Sequence, residues 1–214
     1  MTRVAALDPI VSLAVGIAES PGLYAFLLGS GVSRDAGVPT GGEVLRNAQA
    51  DLYRLVRTET ELPAGEEGLD EWLAEHGYAE LGYSEILALL APDQEGRRAY
   101  LAKHFEGKEP GEAHRQLAKL SESGLIRAYV TTNFDRLLEA ALAEVGIVPG
   151  LVTSEDDLRR SSQREHVSTY IVTAHGDYLQ QTIRNTAAEL AQLDPAMEAE
   201  LQEIFDRYGL VVVG

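Results

Sequence analysis

The chain has 214 residues, 45% hydrophobic and 24% charged, which suits one globular domain with a sizeable core. Its formal charge of −16 opposes direct binding of DNA or RNA, which rests on lysine and arginine neutralising phosphates. It has no cysteine, excluding disulfides and thiolate zinc sites and suiting a reducing cytoplasm; no membrane span or signal peptide is expected from its apolar runs.

Apolar residues at helical spacing, Ile10, Leu13, Ala14 and Ile17, predict a first helix over 8–20, with Asp8 as its cap and Pro9 as its first residue. Ser20-Pro21-Gly22 ends it. The run from Leu23 to Leu28 predicts a buried strand. The segment Gly29-Ser30-Gly31-Val32-Ser33-Arg34-Asp35-Ala36-Gly37-Val38-Pro39 follows. Glycines between a strand and a helix let backbone amides approach a phosphate, so the first expectation is a nucleotide site. The spacing is not the full G-x-G-x-x-G fingerprint, and no G-K-[ST] follows, which excludes a P-loop.

Val44, Leu45, Ala48, Leu52, Leu55 and Val56 predict an amphipathic helix over 42–58. Residues 59–67, with Pro63, Gly65 and four glutamates, predict a solvated loop. Two or three short helices are expected over 68–106, giving a small helical insertion over about 59–110, with Trp72 in its core. A helix is expected from Glu112 to about Ser123, then a buried strand over 127–131, then a helix from Phe134 to Glu144. Residues 154–166 predict a charged loop, and 170–174 another strand. A helix is expected over 187–208, broken at Asp194-Pro195, where the aspartate caps its second half. The chain closes on Leu210-Val211-Val212-Val213-Gly214, an apolar strand and a glycine. A further crossover is expected after it, so the segment is expected to be the N-terminal part of a longer protein.

Together these elements predict an α/β fold: a Rossmann-like open parallel sheet flanked by helices, with a small helical insertion and a truncated last crossover. Ligands bind beyond the carboxyl ends of the strands in such sheets. Three strand ends carry chemistry: Gly29-Ser30-Gly31-Val32-Ser33, Thr131-Thr132-Asn133-Phe134-Asp135 and Ala174-His175-Gly176-Asp177. Each residue also has a structural reading. Asn133 suits a helix N-cap, Asp135 suits the positive end of a helix dipole, and His175 suits a core histidine. If the strands are neighbours, the loop, the amide and the imidazole converge on one crevice.

The order G-S-G-V-S-R-D-A-G-V-P, E-P-G-E-A-H-R-Q-L, T-T-N-F-D-R-L-L-E, H-G-D and V-V-V-G resembles the sirtuin family over residues 23–214. It is more similar to the sirtuin-like domains of bacterial antiphage defence proteins than to the protein deacylases. The resemblance implies NAD as substrate. It places Gly29, Ser30, Gly31, Ser33, Thr132, Asp135 and Gly214 at the dinucleotide, and Asn133 and His175 in catalysis. Asp135 would recognise the nicotinamide carboxamide. Asp177 is a weaker candidate, and His114 is read as structural.

Departures from the family also matter. The four zinc-binding cysteines of the deacylases are absent, and no metal is expected. The family's Pro-Asp-Phe-Arg stretch is replaced by Pro39-Thr40-Gly41-Gly42, and its final Gly-x-Ser loop would begin at Gly214. The resemblance therefore implies a cytoplasmic NAD hydrolase that cleaves the nicotinamide N-glycosidic bond, giving nicotinamide and ADP-ribose or a cyclic form, in abortive-infection defence. It also implies a homo-oligomer with a regulatory region or partner outside this segment, and no contact with nucleic acid or membrane. An NAD-dependent protein deacylase and a non-catalytic module sensing NAD or ADP-ribose are the alternatives.

Overall fold

Among the described residues, five strands form one parallel sheet: β1 (Tyr24–Leu28), β2 (Ile126–Thr131), β3 (Gly150–Val152), β4 (Tyr170–Thr173) and β5 (Gly209–Val213). Their order is β3-β4-β2-β1-β5. The structure is a computed structural model and describes residues 8–57, 65–160, 167–174 and 195–214. β1, β2 and β4 are short apolar runs because both their faces are covered.

One face is covered by α1 (Pro9–Glu19), α6 (Glu112–Glu122) and α7 (Leu137–Glu144). Phe26, Leu28, Tyr129 and Ile171 of the sheet pack there with Ile17, Leu117, Ala118, Leu138 and Leu142. On the other face, Ala25, Ala128, Val130, Val152 and Val172 pack against Met197 and Ile204 of α9 (Pro195–Arg207). The register slips by one residue at the start of the β1–β2 pair, where Tyr24 faces Ile126 but Ala25 faces Ala128. Arg127 is the extra residue and points to solvent. The slip explains why Ile126 and Ala128, two apart, serve opposite cores.

A third core belongs to the helices between β1 and β2: α2 (Gly41–Arg57), α3 (Gly65–Glu75), α4 (Tyr83–Leu90) and α5 (Gln94–Phe105). Trp72 lies in it, 6% exposed, edge-on to Tyr53 at 5.0 Å between ring centroids. The expected helical insertion is thus present as a packed unit joined to α2. Thr40 and Glu43 start α2 as a capping box. Thr40 N–H and Oγ1 donate to Glu43 Oε2 at 2.7 and 2.8 Å, and Glu43 N–H donates to Thr40 Oγ1 at 3.4 Å.

Several sequence expectations need correction. Residues 155–160, read as loop, form α8 (Glu155–Arg160), begun by Ser154 and Asp157. Its acid-rich first turn complements the helix dipole, a signal that charge density obscured. The three-residue strand β3 was not anticipated, because so short a run carries no period. α3 begins at Gly65, inside the segment read as solvated loop. α7 begins at Leu137, not Phe134, for reasons that belong to the site. Of the helix expected over 187–208, only the part from Pro195 falls among the described residues. β5 is apolar but lies at the edge of the sheet, with Val212 67% exposed.

Candidate functional site

The chain leaves β1 for β2 on one side of the sheet, while β5 lies on the other side of β1. This reversal is where open α/β sheets bind ligands. The order β4-β2-β1-β5 makes neighbours of the three strand ends that the sequence singled out, with β5 beside β1. Ala174 N–H donates to Thr131 O at 2.9 Å, which fixes the end of β4 beside the end of β2. His175 and Asp177 follow directly but lie outside the described residues.

After β1 the chain forms a 3-10 helix over Ser30–Ala36. Such a helix has three residues per turn, so residues i and i+3 share a face. The result is a sorting of the loop into three rows. Ser30, Ser33 and Ala36 form one row, with Ser33 fully buried toward β2. Val32 is buried in the sheet-side core, while Asp35, on its row, reaches α6 and accepts Ala113 N–H at 3.2 Å. Gly31, Arg34 and Gly37 form the exposed row. Gly37 ends the helix in the left-handed conformation, at φ 75°.

Ser33 is the centre of a polar cluster. Its Oγ–H donates to Asp135 Oδ2 at 2.7 Å. It accepts from Asn133 Nδ2 at 3.2 Å and lies 3.2 Å from His114 Nε2. His114 Nδ1 accepts Gly111 N–H at 3.2 Å, so the neutral ring carries its proton on Nε2 and donates to Ser33. The hydroxyl's one donor and two acceptor positions are all filled. Burial holds the His114 pKa below its usual value, against the opposing pull of the Asp135 and Asp35 carboxylates. The ring is therefore neutral near pH 7. Sequence reading took His114 as structural; the structure places it 1% exposed and bonded to the loop serine.

Asn133 is not the N-cap of α7; Arg136 holds that position. Its Nδ2 also donates to Gly29 O at 3.1 Å, which fixes the orientation of the amide. Asn133 Oδ1 is buried and has no hydrogen-bond partner among the described residues. Buried carbonyl oxygens are rarely left so, and a ligand or water at this point would satisfy it. Asp135 does both things: Oδ2 binds Ser33, while Oδ1 accepts Leu137 N–H at 3.1 Å and so starts the helix there. Holding residues 132–136 in this irregular turn delays α7 by three residues. Thr132 N–H and Oγ1 both point to Leu28 O, at 3.1 and 3.4 Å, tying the two loops together.

The glycines have a packing role that the phosphate reading did not include. Gly29 N–H donates to Val213 O at 2.8 Å, extending the β1–β5 ladder. A Cβ on Gly29 would come 2.9 Å from Gly214 O, and one on Gly31 would come 3.0 Å from Gly214 C. Gly214 has φ +110°, and a Cβ there would meet Gly29 O at 2.7 Å. Three backbones meet closely at the reversal point.

Residues 127–214 match the family model of the SIR2-like domain. The match includes Thr132, Asn133, Asp135, His175 and Gly214, whereas Gly29, Ser30, Gly31, Ser33 and His114 lie outside it; Gly29 and Ser33 are bonded to Asn133 and Asp135, and His114 to Ser33. No curated protein matches the chain. Among solved structures, it is similar to a Sir2 homolog in complex with NAD, at 19% identity and TM-score 0.45, covering 100% of this chain and 85% of that one. It is similar to Sir2Tm bound to a propionylated peptide, at 16% identity and TM-score 0.40, covering 95% and 86%. It is also similar to Sir2 bound to acetylated peptide, at 18% identity and TM-score 0.37, covering 95% and 86%.

Within the matched residues, Glu139 is a group that sequence reading did not single out. It is the last residue of the T-T-N-F-D-R-L-L-E run and sits in the first turn of α7. Burial pushes its carboxyl up to about 7, opposed by its own backbone N–H and by Arg136, and aided by Asp135. Among the described residues no group of three or more His, Asp or Glu side chains could hold a metal ion. No helix among them is long and apolar enough to cross a membrane.

Proposed function

We propose that this domain binds NAD at the β1–β2–β5 strand ends and hydrolyses its nicotinamide N-glycosidic bond. The observation that carries the reading is the buried Asn133 Oδ1, which has no hydrogen-bond partner among the described residues. It stands in a network that rigidly links the glycine loop to the loop after β2. A fixed acceptor in a pre-ordered crevice suits a ribose hydroxyl or an attacking water. Ser30 and Gly31 N–H, in the first turn of the 3-10 helix, suit the diphosphate.

The reaction needs little of the protein beyond position. The carbon–nitrogen bond of the pyridinium breaks, and its electron pair leaves with neutral nicotinamide. Water adds to the ribose carbon and gives up a proton to His175, an imidazole suited to that task near pH 7. Asn133 orients the ribose or the water, and Asp135, held by Ser33 and Leu137 N–H, orients the carboxamide. The same reading includes a cytoplasmic homo-oligomer, a regulatory region or partner outside this segment, and a role in abortive-infection defence against phage.

Nicotinamide release from NAD with no acylated peptide present is the test. Release by the wild type that His175→Ala and Asn133→Ala abolish, with unchanged thermal midpoints, supports a hydrolase. Release only with acyl-peptide indicates a deacylase, and NAD binding without turnover indicates a sensing module.

A further inference from the structure

Arg34 is the one basic residue between Gly29 and Gly42, and the next in sequence is Arg46. It sits one 3-10 turn after Gly31 and on the same face of that helix. That face meets the backbone of Gly214 at the reversal point between β1 and β5. Its side chain is 69% exposed, and Nη2 is held 2.9 Å from Glu43 Oε1. Glu43 is in turn anchored by Thr40 N–H and Oγ1 at the start of α2. Asp35 in this helix and Asp135 beside it bring carboxylates here, while Lys108 Nζ lies 3.3 Å from where a Cβ on Gly37 would be, at the far end of the same row. A dinucleotide diphosphate brings two more negative charges to this crevice, and a guanidinium offsets them by paired, charge-assisted hydrogen bonds that an ammonium does not form.

We propose that Arg34 is the specificity residue for the diphosphate, and that Glu43 parks it at the rim until a phosphate oxygen takes the carboxylate's place. The proposal rests on the dinucleotide reading above and adds the residue that recognises the charged middle of the ligand. It makes Glu43 an internal competitor: the ion pair must open for the ligand pair to form. Removing the charge of Glu43 therefore strengthens binding. Glutamine at that position still serves a capping box, so α2 keeps its start.

Calorimetric titration of the full chain with ADP-ribose and with NAD tests this. Arg34→Ala is expected to weaken both by about tenfold, the scale of one lost charge-assisted bond. Arg34→Lys loses part of that, since an ammonium lacks the paired donors. Glu43→Gln is expected to tighten both at an unchanged thermal midpoint, and to make affinity fall more steeply with added salt. Equal affinity in wild type and Arg34→Ala overturns the proposal and leaves the dinucleotide reading standing. Weaker binding in Glu43→Gln, matching that of Arg34→Ala, also overturns it, because the pair would then act only as a brace. A wild type that binds neither ligand defeats the dinucleotide reading itself, and the proposal with it.

Discussion

Ser33 shows how one buried hydroxyl can decide the geometry of two loops. It gives its proton to Asp135 and accepts from Asn133 and His114. Ser33→Ala leaves three polar groups without that partner and is expected to cost about 1–3 kcal/mol of stability, read by urea unfolding. Glu139 gives a pH-dependent signature with a definite sign. Its carboxyl is raised from 4.5 to about 7 in the folded chain, so the neutral form is the one the fold prefers. Its contribution to stability is complete below pH 4.5 and is lost as pH rises through about 7. Thermal midpoints of Glu139→Gln and wild type should diverge in the variant's favour from pH 5 to pH 8. A constant difference across that range would show that Glu139 does not titrate there. Neither role was legible in sequence. Ser33 carried the loop motif but not its partners, and a glutamate in a helix's first turn reads as ordinary dipole matching.

At the scale of elements, the start of α2 is the clearest case. Thr40-x-x-Glu43 is a capping signature present in the sequence, and the structure shows both of its reciprocal bonds. Thr40→Ala is expected to cost about 1 kcal/mol, measured by thermal unfolding. The start of α7 is the opposite case. Apolar spacing points to a helix from Phe134, but Asn133 and Asp135 are bonded across to Gly29 and Ser33, and the helix waits until Leu137. Local propensity set the end of α7; a contact with residues about a hundred positions away set its beginning. α8 was missed for a third reason. A six-residue helix of mostly charged residues has too little apolar period to register.

For the whole molecule, a charge of −16 on 214 residues is an unfavourable field that the fold must tolerate. Ion pairs on its surface, such as Arg115–Glu144 and Arg46–Asp70, are exposed and contribute little. Screening the net repulsion should therefore outweigh screening those pairs. The thermal midpoint is expected to rise as sodium chloride is raised from about 50 to about 500 mM. A falling midpoint would mean that the pairs, not the net charge, dominate.

The sequence by itself determined four of the five strands among the described residues, most of the helices there, the parallel α/β class and the positions of the polar strand ends. Those signals are local: runs of apolar residues, their period, and glycines or prolines at the breaks. Tertiary structure alone decided the strand order, and with it which ends are neighbours. It also drew His114 into the Ser33–Asn133–Asp135 cluster and set Gly29, Gly31 and Gly214 backbone to backbone. The physical reason is range. A strand's period is written within half a dozen residues, whereas the bonds that build the crevice join residues 81 to 104 positions apart.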